Sequence, residues 1–74
     1  MSETTIRAEL AGRLLSFSVS EGDLLEAGQD FALLEAMKME IPLTSPARGT
    51  VARLLRQPDD TLAEGDPVMV IVSA

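Results

Sequence analysis

The chain has 74 residues, 12 acidic and 6 basic, for a net charge of −6; that is enough for one small domain, which buries roughly 60% of the surface its unfolded chain exposes. With no cysteine and no histidine, it has no disulfide framework, no thiolate metal ligand and no general base of the usual neutral-pH kind, so most enzyme classes lack their parts. The acidic balance repels nucleic acid and anionic lipid and argues against partners of either class.

From the N-terminus, Met1 to Arg7 carries no apolar signal core, and no later stretch approaches the roughly 20 apolar residues of a membrane span. The expectation is a cytoplasmic single domain over residues 1–74. An extended opening leads to Gly12, and residues 13–19 then form an apolar strand. Glu21-Gly22-Asp23 and Ala27-Gly28-Gln29 are turn signals. Residues 31–35 and 39–43 read as further strands, followed by residues 51–55. After Pro58-Asp59-Asp60 and Gly65, the almost wholly apolar residues 68–72 close the chain as a strand. No segment has the length and periodicity of an amphipathic helix.

These elements repeat. Shifted by 37 positions, Gly12 falls on Gly49, Asp23 on Asp60, Leu25 on Leu62 and Gly28 on Gly65. Apolar positions follow: Ile6 with Leu43, Leu14 with Val51, Phe17 with Leu54, and Phe31, Leu33 and Leu34 with Val68, Val70 and Ile71. Two β-rich halves sharing one core imply an all-β fold, two small sheets packed face to face as a flattened barrel or sandwich. The four repeated glycines are expected to be turn or bulge devices that need positive φ. The repeated Asp23 and Asp60 are expected to cap turns with their side chains rather than to act as an acid/base pair.

The aligned blocks end at Leu34 and resume at Leu43, so residues 35–42 join the halves. The simplest short joint between neighbouring strands is a hairpin, whose tip is a surface position. Its midpoint is expected between Lys38 and Met39, with Lys38 on the tip. Local propensity would not find this turn, because Ala36-Met37-Lys38-Met39 has no Asn-Gly or Asp-Gly.

Lys38 is the only lysine; Arg7, Arg13, Arg48, Arg53 and Arg56 supply the rest of the positive charge. An amine can shed its proton and be acylated, whereas a guanidinium stays protonated and is a poor nucleophile. One side chain in this protein can therefore form a stable amide. Met37 and Met39 flank it where the chain is most exposed, and exposed apolar side chains there point to recognition.

The hexapeptide Glu35-Ala36-Met37-Lys38-Met39-Glu40 resembles the signature of the biotinyl attachment domain, a lysine between two methionines preceded by alanine. Glu21-Gly22-Asp23, Ala27-Gly28-Gln29, Ile41-Pro42-Leu43 and Ser45-Pro46-Ala47-Arg48-Gly49-Thr50 also resemble the family's pattern, which spans about residues 6–72. The resemblance implies a flattened barrel of two four-stranded sheets with quasi-two-fold symmetry. It implies a biotin carboxyl carrier: biotin protein ligase joins biotin to Lys38, biotin carboxylase loads the ureido ring, and a carboxyltransferase receives the carboxyl group. The domain itself is then a non-catalytic carrier, with Ala36, Met37 and Met39 forming the recognised hairpin. Glu35 and Glu40 keep two readings, solvated strand ends or contacts for ligase and carboxylase.

Three departures from the family pattern stand out. The first half has Ala8-Glu9-Leu10-Ala11-Gly12 in place of the usual Pro-Met before its glycine. Pro58-Asp59-Asp60 replaces a Glu-Gly-Asp, so the turn geometry is expected to differ there. There is no room for the thumb insertion of some bacterial carriers. Lipoyl domains share the fold and a hairpin lysine but typically place Asp before it and Ala after it, so methionine on both sides favours biotin over lipoate. A reading from another class is an unmodified β-barrel interaction module that uses the same hairpin as a docking knob.

Overall fold

In two of the strands a buried side chain sits between more exposed neighbours. In the segment Gly12–Phe17, Leu14 is fully buried between the exposed Arg13 and the half-buried Leu15, and in Gly49–Leu54 the buried Val51 has the same setting. Alternation of this kind places one strand face on a core and the other in solvent. The computed structural model describes residues 2–73, so both ends of the expected domain lie outside the described residues.

Eight strands result: β1 (Ser2–Arg7), β2 (Gly12–Phe17), β3 (Leu24–Leu25), β4 (Asp30–Ala36), β5 (Met39–Thr44), β6 (Gly49–Leu54), β7 (Thr61–Leu62) and β8 (Pro67–Ser73). They form two four-stranded antiparallel sheets, ordered β1-β8-β6-β3 and β5-β4-β2-β7. Adding 37 to the bounds of β1 to β4 gives the bounds of β5 to β8 residue for residue, and the same shift carries one sheet order onto the other. The all-β, two-sheet, quasi-two-fold architecture is therefore the one expected. The two-residue strands β3 and β7 were not separable from their turns by composition. Val19 leaves the sheet yet remains buried.

The core follows the same symmetry. Leu14 and Val51, Leu25 and Leu62, Phe31 and Val68, and Leu34 and Ile71 are all buried to within 2% exposure. One pair of positions trades volume between the halves: Phe31-Ala32 in β4 stands where β8 has Val68-Met69, and all four side chains are buried. A large-small pair against a medium-large pair fills the shared space without strict identity.

Four tight turns repeat one design. In Ser20 to Asp23 and Gln57 to Asp60, the first residue's N–H donates to the last residue's carboxylate, at 2.8 and 2.9 Å. In Ala63 to Asp66 the acceptor is again aspartate, at 2.8 Å, and in Glu26 to Gln29 it is the glutamine amide oxygen, at 2.9 Å. The capping role expected of Asp23 and Asp60 is present. The third residue of each turn has the positive φ of a type II turn: Gly22 at 96°, Gly28 at 82°, Asp59 at 78° and Gly65 at 89°. The Pro58-Asp59-Asp60 turn therefore keeps the geometry of Glu21-Gly22-Asp23 instead of departing from it, because Pro58 supplies the second turn position and Asp59 accepts the left-handed conformation.

Gly12 and Gly49 correct the expectation that all four repeated glycines need positive φ. Neither has one. Each begins a strand where a neighbour's backbone crosses closely: a Cβ on Gly12 would lie 2.5 Å from the carbonyl oxygen of Glu35, and one on Gly49 would lie 2.9 Å from that of Val72. Space, not dihedral freedom, selects glycine at both.

Candidate functional site

The hairpin between β4 and β5 is closed by two residues. Ala36 pairs with Met39, leaving Met37 and Lys38 as the turn, so its centre lies one residue earlier than the midpoint expected between Lys38 and Met39. The shift arises because Ala36 extends β4 to the last pair of the ladder. Lys38 still occupies the tip. Both turn residues have positive φ, 51° at Met37 and 64° at Lys38, as a type I′ turn requires, and this turn matches the right-handed twist of the flanking strands. Glycine or asparagine normally occupies such positions. Here two long side chains do, at a cost of roughly 1 kcal/mol or more each.

Packing anchors the stem and leaves the tip free. Leu34 is fully buried and Ala36 is 7% exposed, whereas Met37 is 83% and Met39 62% exposed. Met69, by contrast, is completely buried in β8. The expectation that the flanking methionines are not core residues is therefore met. The small Ala36 lets the stem close over the core one residue short of the turn.

Every arginine has an acceptor. Arg7 donates to the Gly65 carbonyl, Arg56 to that of Pro67, Arg48 pairs with Glu26, Arg53 with Glu3, and Arg13 with both Glu35 and Asp59. Among the described residues Lys38 has no hydrogen-bond acceptor and no ion-pair partner, and its amine is presented to solvent. Among the described residues, 35–40 line neither a cleft of about 240 Å³ between β1 and β5 nor a hollow of about 330 Å³ beside Leu24. The hairpin displays its lysine instead of enclosing it. No grouping of three or more metal-ligating side chains occurs among the described residues.

Beneath the tip, Glu35 and Glu40 face each other across the β4–β5 ladder. They are not equivalent. Arg13, opposite Glu35 in β2, donates from Nη2 to Glu35 Oε1 at 3.2 Å and from Nη1 to Asp59 Oδ1 at 2.6 Å. Glu40 makes no ion pair among the described residues. Arg13 and Asp59 were not singled out from the sequence; the available signal was that the repeat partners of Arg13, Glu35 and Asp59 are the uncharged Thr50, Val72 and Gly22.

Known proteins match this two-sheet, internally repeated chain in sequence and in fold. The family of biotin-requiring enzymes with biotin/lipoyl domains matches residues 4–71. A biotin/lipoyl attachment protein of Bacillus subtilis is 38% identical over 65 residues, covering 88% of this chain and 89% of that protein. An acetyl-CoA carboxylase of Saccharomyces cerevisiae is 40% identical over 70 residues, 95% of this chain but 3% of the enzyme. Among solved structures, the urea carboxylase of Kluyveromyces lactis superimposes on 97% of this chain with a TM-score of 0.90 and 32% identity, over 6% of its own length. The chain thus spans nearly the whole of one short relative and a small part of the two carboxylases. It belongs to the biotin/lipoyl attachment family, as a non-catalytic carrier domain with that family's two-sheet fold.

Proposed function

We propose that Lys38 is the site of covalent biotin attachment and that the chain carries a carboxyl group between two partner active sites. The observation that carries this reading is the conformation of the tip: the only lysine of the chain sits at φ 64° between two exposed methionines. A glycine would fold the turn with less strain, but it would present neither an amine nor apolar flanks.

The residues present fit an amide-linked cofactor. The amine has no competing acceptor among the described residues, and the rigid stem keeps it at one pole of the sheet. In the attachment step the Lys38 nitrogen attacks the acyl carbon of an activated biotinyl adenylate; the amide bond forms, the adenylate leaves, and the amine proton passes to solvent. Biotin supplies a ureido nitrogen that accepts and releases a carboxyl group when bound. Met37 and Met39 form the apolar surface by which a biotin protein ligase recognises the hairpin.

Biotin is favoured over lipoate by methionine on both sides of Lys38 and by the carboxylases in which the fold recurs. A biotin carboxylase and a carboxyltransferase are the partners that such a carrier serves. The tether confines the reactive group to the neighbourhood of both sites and raises its effective concentration at each. Incubating the biotinylated chain with biotin carboxylase, ATP and radiolabelled bicarbonate tests the reading: label on the modified chain and none on the unmodified chain is the expected result. Equal or absent labelling of both contradicts it.

A further inference from the structure

The internal repeat provides a comparison within one molecule, because the two sheets share a register and differ in chemistry. One cross-strand row of the sheet that holds Lys38 runs Thr61, Arg13, Glu35, Glu40. Its symmetry mate in the other sheet runs Leu24, Thr50, Val72, Glu3. The same ladder forms without Arg13 and without Glu35, so folding does not require that pair of charges. They occur in the row next to the lysine hairpin and not in its mate.

That row contains a conflict. Glu35 and Glu40 are directly opposed like charges, an arrangement that weakens a strand pair, and they lie one pair below the closing Ala36 and Met39. Arg13 draws the Glu35 carboxylate toward β2, away from Glu40. Arg13 is in turn held by Asp59 at 2.6 Å. Asp59 occupies the left-handed turn position, φ 78°, where the symmetric turn has Gly22 at 96°. Glycine satisfies that position with less strain. What aspartate adds is a carboxylate for Arg13, and strain retained beside a working site is the pattern expected of a functional constraint.

We infer that Asp59 and Arg13 are positioning residues for the modification of Lys38: Asp59 orients the Arg13 guanidinium, and Arg13 holds Glu35 clear of Glu40 so that the hairpin stem meets the modifying enzyme in one geometry with Glu40 free. The inference rests on Lys38 being the acceptor. None of the three side chains touches the reacting amine, and all are substantially exposed, at 45%, 46% and 78% for Arg13, Glu35 and Asp59, so their effect is on recognition and not on the core.

Steady-state biotinylation of the unmodified chain by biotin protein ligase, with the carrier as varied substrate, tests this beside thermal unfolding. Asp59→Gly, which installs the residue of the symmetric turn, is expected to leave the unfolding midpoint unlowered and kcat unchanged while raising KM about three- to fivefold, the size expected of exposed ion pairs. Arg13→Thr is expected to raise KM by a similar factor, and the double variant no further, since the two act in series. Arg13→Lys is expected to restore part of the loss. An unchanged KM in Asp59→Gly, or additive losses in the double variant, overturns the inference while leaving Lys38 as acceptor. Failure of the wild-type chain to be modified overturns the acceptor reading, and the inference with it.

Discussion

Asp23 and Asp60 make the same hydrogen bond in two different turns: each carboxylate accepts the backbone N–H of the residue three positions before it, Ser20 at 2.8 Å and Gln57 at 2.9 Å. The backbone closes each turn in the same way, with Asp23 N–H on the Ser20 carbonyl at 3.0 Å and Asp60 N–H on that of Gln57 at 3.1 Å. Each turn also docks on the opposite half, Asp23 through its carbonyl to Val51 N–H and Asp60 to Leu14 N–H. Equivalent geometry implies equivalent energetics. Asp23→Ala and Asp60→Ala are each expected to lower stability by about 1 kcal/mol, the usual contribution of one such hydrogen bond, and to add in the double variant. Urea unfolding of the three variants checks this; a large inequality between the singles would show that the symmetry is geometric only.

The close approaches at Gly12 and Gly49 make a sharper prediction. Gly12→Ala puts a methyl group into the Glu35 carbonyl and the Leu34 side chain and is expected to cost about 3 kcal/mol, at the upper end of overpacking penalties. Gly49→Ala meets Val72 at slightly longer range and is expected to cost somewhat less. Gly22→Ala meets nothing within 4 Å but must hold φ at 96°, so its cost is expected nearer 1 kcal/mol. The order of the three chemical-denaturation midpoints is the measurement.

Much of this architecture was legible in the sequence because a repeat reports what single-residue propensity does not. Leu14 with Val51 and Leu34 with Ile71 gave the buried faces, and the gap between the repeats gave the hairpin. The resemblance of Glu35-Ala36-Met37-Lys38-Met39-Glu40 to a biotinyl attachment site named the lysine's chemistry. What stayed hidden depends on three-dimensional approach. Gly12 and Gly28 look alike in a sequence, yet one is glycine for want of space and the other for its dihedral angle. Asp59 gave no sign that it would keep the turn geometry of Gly22, which Pro58 before it makes possible, nor that its carboxylate would meet Arg13, 46 residues away.

Strain at the hairpin tip separates stability from function. Met37→Gly removes a left-handed non-glycine residue, φ 51°, and is expected to stabilise the fold by about 1 kcal/mol, which raises Tm by about 4–8 °C in a domain of this size. The same change deletes an 83% exposed apolar side chain beside Lys38 and is expected to slow ligase modification about tenfold, as loss of a recognition anchor does. Calorimetry and a modification time course on one preparation read both effects. A variant that is more stable and equally well modified would show that Met37 is not read by the ligase.

Core truncation is expected to be severe because the domain is small. Phe31 is 1% exposed and is one of two aromatic residues in the chain. Phe31→Ala is expected to cost about 3–5 kcal/mol, against a total stability of roughly 4–11 kcal/mol at the usual stabilisation per residue. Far-UV circular dichroism during thermal unfolding checks the loss; Val68→Ala, at the smaller symmetric position, is expected to cost less.

Carriage of biotin on Lys38 is tested most directly by the intact mass of the chain after incubation with biotin protein ligase, biotin and ATP, beside a Lys38→Arg variant. The expected result is a mass increase of one biotinyl group in the wild-type chain and none in the variant, with the same β-rich circular dichroism spectrum for both. No increase in the wild-type chain with a ligase shown to be active on another substrate, or an equal increase in the Lys38→Arg variant, would contradict it.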